Sequence, residues 1–266
     1  MTIYEFIIIV VFGIFAVTAL FRVGRRHTEQ IATVVSGKTH KEIKKEFKGI
    51  EKEALSACKE YSGLRFLNKL CYRRCLDLSD LDACTFKPTR TIAYSPLWIF
   101  LCTADMFCNR DDWRIAFMQS VGHELGHQFD KRKDFLFGLR HSYEERKLFY
   151  WLREVACDIY SLGFMAKQFP CFVSRFRGAL DLKIWKYVNQ MTGKEKFFRH
   201  PTWAIRKKVI FEFALAKDPV RDPRLCESSK IIKGLTKEII DFLANEAGCT
   251  NEKYIKKMYK LYNIET

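Results

Sequence analysis

The sequence predicts an α+β protein, mostly α-helical, with a small sheet and one N-terminal transmembrane helix ahead of it. Three observations point there. The first is a single uninterrupted apolar run at the start of the chain. The second is apolar spacing of three and four residues through most of the remainder, which is the helical period. The third is a low content of turn formers, with 13 Gly and 6 Pro in 266 residues, which excludes a turn-rich sandwich. A hydrophobic fraction of 48%, with 23 Phe, 11 Tyr and 5 Trp, is enough to build a core and excludes a largely disordered chain. No repeat of solenoid or propeller period occurs.

The chain opens with FIIIVVFGIFAVTALF over 6–21, in which Thr18 is the one polar residue. With Ile3 and Tyr4 the run approaches the ~20 residues that cross hydrocarbon. No Lys or Arg precedes it, whereas Arg22, Arg25 and Arg26 follow it. That arrangement favours a retained anchor over residues 1–22 against a cleaved signal peptide. By the positive-inside rule it places residues 23–266 on the cytoplasmic side of a single-pass membrane protein.

A basic helical lead-in follows over about 28–76. Ile43, Phe47, Ile50, Ala54, Ala57 and Tyr61 form its apolar stripe. From Arg22 to Arg74 there are 14 Lys or Arg, 6 Glu and no Asp, so the opposite face is strongly basic. Beside an anchor, residues 22–74 suit either solvent or anionic headgroups. The turn-rich stretch LSDLDACTFKPTR leads to two short runs, TIAYS and LWIFLC, both expected as strands. Helices are then expected over 111–133, 144–168 (closed by Pro170), 171–191, 201–217, 227–247 and 250–262.

The formal net charge of +15 suits an acidic partner such as anionic lipid, nucleic acid or acidic peptide. No nucleic acid is expected, because no recognised binding module appears. Neither a Gly-rich phosphate loop nor a dinucleotide fingerprint is present. The ten Cys contain no C-x-x-C pair. They leave disulfides and reduced thiols equally open.

Chemistry concentrates in SVGHELGHQFD. His123 and His127, four apart on a helix, project to one side and can reach one tetrahedral ion. Glu124 stands beside the first of them, where a carboxylate can take a proton from water. This is the H-E-x-x-H zinc-peptidase pattern. Asp130 and Lys133 stand where a metzincin needs Gly and His, which excludes that ligand set. On the later helix WLREVACDIYSLGF, Glu154 and Asp158 lie four apart among core positions Leu148, Trp151, Leu152, Val155, Ile159 and Leu162. Carboxylates in apolar surroundings require cations or a metal. Glu154 completes a His-His-Glu set for one Zn2+ per chain, and Asp158 orients a ligand histidine. His141 and His200 are the alternatives for the third ligand. In FFRHPTWAIRKKV, His200 precedes a helix-starting proline at a loop edge, and Arg206 lies on the helix that follows, where it can hold that histidine's surroundings or a carboxylate.

Together, H-E-L-G-H, E-x-x-x-D and H-P with a following Arg resemble the HtpX and CaaX prenyl protease family of zinc metallopeptidases. These are gluzincins, and a compact, singly anchored, minigluzincin-like relative is the nearest form. The resemblance covers about 91–206, the expected catalytic core, with C-terminal helices over 207–266. It implies a zincin-like metallopeptidase domain acting on peptide or protein substrates. It also implies His123, His127 and Glu154 as zinc ligands, Glu124 as catalytic base, Asp158 as orienting group, and His200 with Arg206 on the oxyanion side. TIAYS resembles the family's substrate-binding edge strand. The zinc helix of neprilysin-like peptidases is similar too, which leaves a secretory-pathway metallopeptidase as the alternative. A third reading is a catalytically idle, membrane-tethered zinc-binding or adaptor protein.

Overall fold

Thr39 and Glu42 start the first described helix, α1 (His40–Ser62), by capping each other. The Glu42 amide donates to Thr39 Oγ1 and the Thr39 amide to Glu42 Oε2 at 2.8 Å. Ser142 and Glu145 repeat this reciprocal cap at the start of the longest helix, α4 (Tyr143–Gln168). Between them lie β1 (Lys69–Tyr72), β2 (Ala83–Phe86), β3 (Thr91–Tyr94), α2 (Leu97–Thr103) and α3 (Arg110–Phe129). After α4 come α5 (Trp203–Lys208), which runs on as a π-helical turn over Val209–Ala214, then α6 (Lys237–Ala247) and α7 (Glu252–Leu261). The computed structural model describes residues 36–62, 69–72, 83–86, 90–94, 97–103, 110–129, 141–168, 199–214 and 235–264, with positions 30 and 33.

The described protein is mostly helical, with one three-stranded sheet in the order β1-β3-β2. β3 pairs parallel to β1 (Lys69 with Thr91) and antiparallel to β2 (Ala83 with Tyr94). Four expectations are corrected here. The lead-in over 28–76 is helical at His40–Ser62, but Lys69–Tyr72 within it is a strand, and the turn-rich stretch LSDLDACTFKPTR holds the strand Ala83–Phe86, because both segments pair with Thr91–Tyr94. LWIFLC is helical, not a strand, because its apolar residues serve α2, whose Trp98, Ile99 and Cys102 are all buried. TIAYS supplies the central strand, so its backbone is engaged on both sides and it offers no edge to a peptide. Among the described residues the edges of the sheet are β1 and β2, and β2 packs against α3.

Ile43, Phe47, Ile50, Ala54 and Ala57 of the α1 stripe are buried, and Tyr61 packs against the same core. Phe47, Tyr94, Trp98 and Phe117 join α1, β3, α2 and α3 through ring contacts of 5.2–5.7 Å. On α4, Leu148, Trp151, Leu152, Val155, Ile159 and Leu162 are buried, as their spacing predicts. Asn251 caps α7 and also donates to Glu145 at 2.5 Å, tying the C-terminal helices to the start of α4.

The α3–α4 contact is the centre of the molecule. As α3 runs from Gln119 through Gly126 to His127, its partners on α4 run back from Ser161 through Cys157 to Glu154, so the helices are antiparallel. Gly122 and Gly126, one turn apart, set how closely they approach. A Cβ at Gly122 would sit 2.5 Å from a buried Phe164 ring carbon, and one at Gly126 would sit 3.1 Å from the Cys157 Cα. Close approach of backbone is a use for glycine that needs no unusual dihedral. Gly122→Ala is expected to destabilise the protein by about 1–3 kcal/mol through overpacking, as read by denaturant unfolding. An unchanged midpoint would show that the two helices have room to separate.

The apolar run over 6–21 and the helix expected over 171–191 lie outside the described residues. Among the described residues no helix is long and apolar enough to cross a membrane.

Candidate metal centre

Two helices bring the site together, α3 with the histidines and α4 with the carboxylates. Close packing over Gly126 lets the short Glu154 side chain reach both imidazoles. His123 Nε2 lies 3.2 Å from His127 Nε2 and 3.2 Å from Glu154 Oε2, and His127 Nε2 lies 3.5 Å from Glu154 Oε1. A tetrahedral zinc with arms of 2.0–2.1 Å holds its ligand atoms about 3.3–3.4 Å apart. The two separations from His123 Nε2 fall just below that value, and the carboxylate approaches His127 through its other oxygen. The donor set, two imidazoles and a carboxylate, is one that catalytic zinc accepts, with coordination left for a further ligand. Among the described residues, His123, His127 and Glu154 are the group that could hold a metal ion, and the first and last of them are buried.

Electrostatics support the same grouping. Burial pushes the Glu154 carboxyl up, but hydrogen bonds from His123, His127 and His200 outweigh it and hold the group well below the usual carboxylate range. Burial lowers His127, a shift towards the neutral form that ligation requires. Burial also lowers His123, yet Asp158 and Glu154 overcome this and raise it to about 10. Two buried carboxylates thus demand positive charge at this point, from a proton or from a divalent ion.

Asp158 lies beneath His123, 1% exposed, with Oδ1 2.8 Å from Nδ1. That contact directs the Nε2 lone pair towards Glu154 and His127. Arg206 is turned inward from α5 and takes a carboxylate, one of the two roles open to it from its place on the helix. Its Nε donates to Asp158 Oδ2 at 2.7 Å and its Nη2 to Oδ1 at 2.5 Å. The reason is charge: a carboxylate this deeply buried requires a cation, and the planar guanidinium matches its two oxygens. Thr202 fixes the direction of α5 by capping it at the Ile205 amide.

His200 reaches the cluster from the other side of Pro201, with Nδ1 3.1 Å from Glu154 Oε2 and a side chain 47% exposed. It is the half-open member of the group. Glu124 is 8% exposed and sits one residue, about 100° of helix turn, from His123. His141, the other alternative ligand, is placed elsewhere, with Nδ1 3.1 Å from Glu145 and its ring against Tyr254. The structure therefore brings together His123, His127, Glu154, Asp158, His200 and Arg206.

One neighbour was missed by sequence reasoning. Cys157 places Sγ 3.2 Å from His127 Nδ1. Its position between Glu154 and Asp158, on the α4 face that meets α3, was the available signal. Cys58, Cys84, Cys102, Cys157 and Cys249 are thiols. Burial raises Cys58 to about 12 and pushes Cys102 up as well, so neither is a reactive thiolate. Comparison with protein-family models, with curated proteins and with solved structures finds no match to the chain.

Proposed function

We propose that this chain is a membrane-anchored, zinc-dependent endopeptidase with the metal held by His123, His127 and Glu154. The observation that carries the proposal is the convergence of two imidazole nitrogens and a carboxylate, with one ligand atom of each within 4.8 Å of the others, beside a buried glutamate in the H-E-x-x-H register. Zinc, when bound, supplies a Lewis acid that acidifies water and polarises a carbonyl. Glu124 accepts the proton of the attacking water and returns it to the leaving amine. Asp158, clamped by Arg206, holds His123 in the tautomer that ligates. His200 is half-exposed at the edge of the cluster, where its imidazole can donate to an oxyanion.

An extended peptide requires a sheet edge near the metal. β2 is an edge strand of the described sheet and packs against α3, the helix that carries both histidines, which makes it the candidate for β-addition of a peptide. The zincin-like fold, the anchor over 1–22 and a headgroup-facing role for residues 22–74 belong to the same proposal.

The test is hydrolysis of an unstructured protein by the purified chain. Cleavage should require zinc, vanish with a chelator and return when zinc is added back. A zinc-loaded chain that cleaves nothing would favour the idle zinc-binding protein.

A further inference from the structure

We infer that Cys157 is the positioning residue for His127, as Asp158 is for His123, so that adjacent residues of α4 orient the two histidine ligands of α3. The inference rests on the proposed zinc site. His127 faces the cluster through Nε2 and faces Cys157 through Nδ1, with Sγ at 3.2 Å. Two arrangements of that contact exist. If the thiol donates to Nδ1, the imidazole proton sits on Nε2 and blocks ligation. If Nδ1–H donates to sulfur, the Nε2 lone pair is exposed to the metal. Only the second is compatible with a His-His-Glu site, so the sulfur acts as acceptor.

Packing explains why a cysteine occupies this position. Cys157 is 2% exposed, and a Cβ at Gly126 would lie 3.1 Å from its Cα and 3.3 Å from its Sγ. The α3 backbone therefore presses directly on residue 157. A small side chain suits so close a backbone contact, and the Cys157 sulfur reaches the imidazole. The two supports are consequently unequal. His123 has a charged carboxylate tied to Arg206, and His127 has a neutral, weaker acceptor. Of the two ligand histidines, His127 is the less tightly oriented.

The experiment measures zinc affinity by chelator competition, and the unfolding midpoint of the zinc-free protein, for wild type, Cys157→Ala and Cys157→Ser. Loss of an outer hydrogen bond to a ligand weakens metal binding by 10–100-fold, and a neutral thiol belongs at the low end, so Cys157→Ala is expected to lose about tenfold. Cys157→Ser, which keeps an acceptor, should recover part of that loss. A merely packing role predicts lower zinc-free midpoints in both variants with unchanged zinc affinity, which would overturn the inference while leaving the zinc site standing. A thiolate-to-cobalt charge-transfer band in the cobalt-loaded wild type, absent from Cys157→Ser, would make Cys157 a ligand and also overturn it. A wild type that binds no zinc would overturn the site itself and the inference with it.

Discussion

Glu124→Gln is expected to leave one zinc bound per chain and to lower peptide hydrolysis by about 10²–10⁴-fold, the range for loss of a positioned general base. Glutamine matches the shape of glutamate, so the buried α3 position is filled and the three ligands on α3 and α4 are untouched. The amide oxygen cannot take and hold the proton of water, and this alone is lost. Metal content and turnover measured on the same preparation separate the outcomes. Wild-type turnover in the variant would remove Glu124 from the base role. Full metal content with no turnover in either protein would identify a structural zinc.

The second large effect falls on Asp158. Asp158→Ala removes the partner of a guanidinium whose own side chain is only 12% exposed. Breaking a buried pair and leaving one charge behind costs about 3–5 kcal/mol. The variant should therefore lose much of its stability even without zinc, as read by denaturant unfolding. Replacing Arg206 as well, in an Asp158→Ala, Arg206→Leu double variant, should recover part of the loss, because no charge then remains unpaired. Additive losses would show that the two side chains are not coupled. Glu154→Ala behaves differently. It should abolish stoichiometric zinc binding, because two histidines and water remain. The ligand variant is thus the more severe for metal, and the Asp158 variant the more severe for the fold.

Much of this site is legible in the sequence because helix spacing is local. Four residues separate His123 from His127 and Glu154 from Asp158, and the helical period alone puts each pair on one face. The same logic places the apolar stripes of α1 and α4, and both helices start at residues that cap them, Thr39 and Ser142. What could not be read is non-local. Six apolar residues in LWIFLC suit a strand or a short helix equally, and packing beside Trp113 and Phe117 decides for a helix. The order of strands in a sheet leaves no mark on any one strand, so TIAYS could be expected at an edge when it lies in the middle. Arg206 lies 48 residues beyond Asp158, and only the fold reveals that it is buried against that carboxylate. Cys157 was passed over because a thiol between two acids carries no motif, although its helix position already aims it at α3.

Zinc K-edge X-ray absorption of the purified, zinc-loaded chain measures the metal centre most directly. One zinc per chain is expected, with nitrogen and oxygen neighbours at about 2.0–2.1 Å, an imidazole signature and no sulfur shell near 2.3 Å. In Glu154→Ala the stoichiometric site should be lost. A sulfur shell in the wild type, or retained stoichiometric zinc in Glu154→Ala, would contradict a site built from His123, His127 and Glu154.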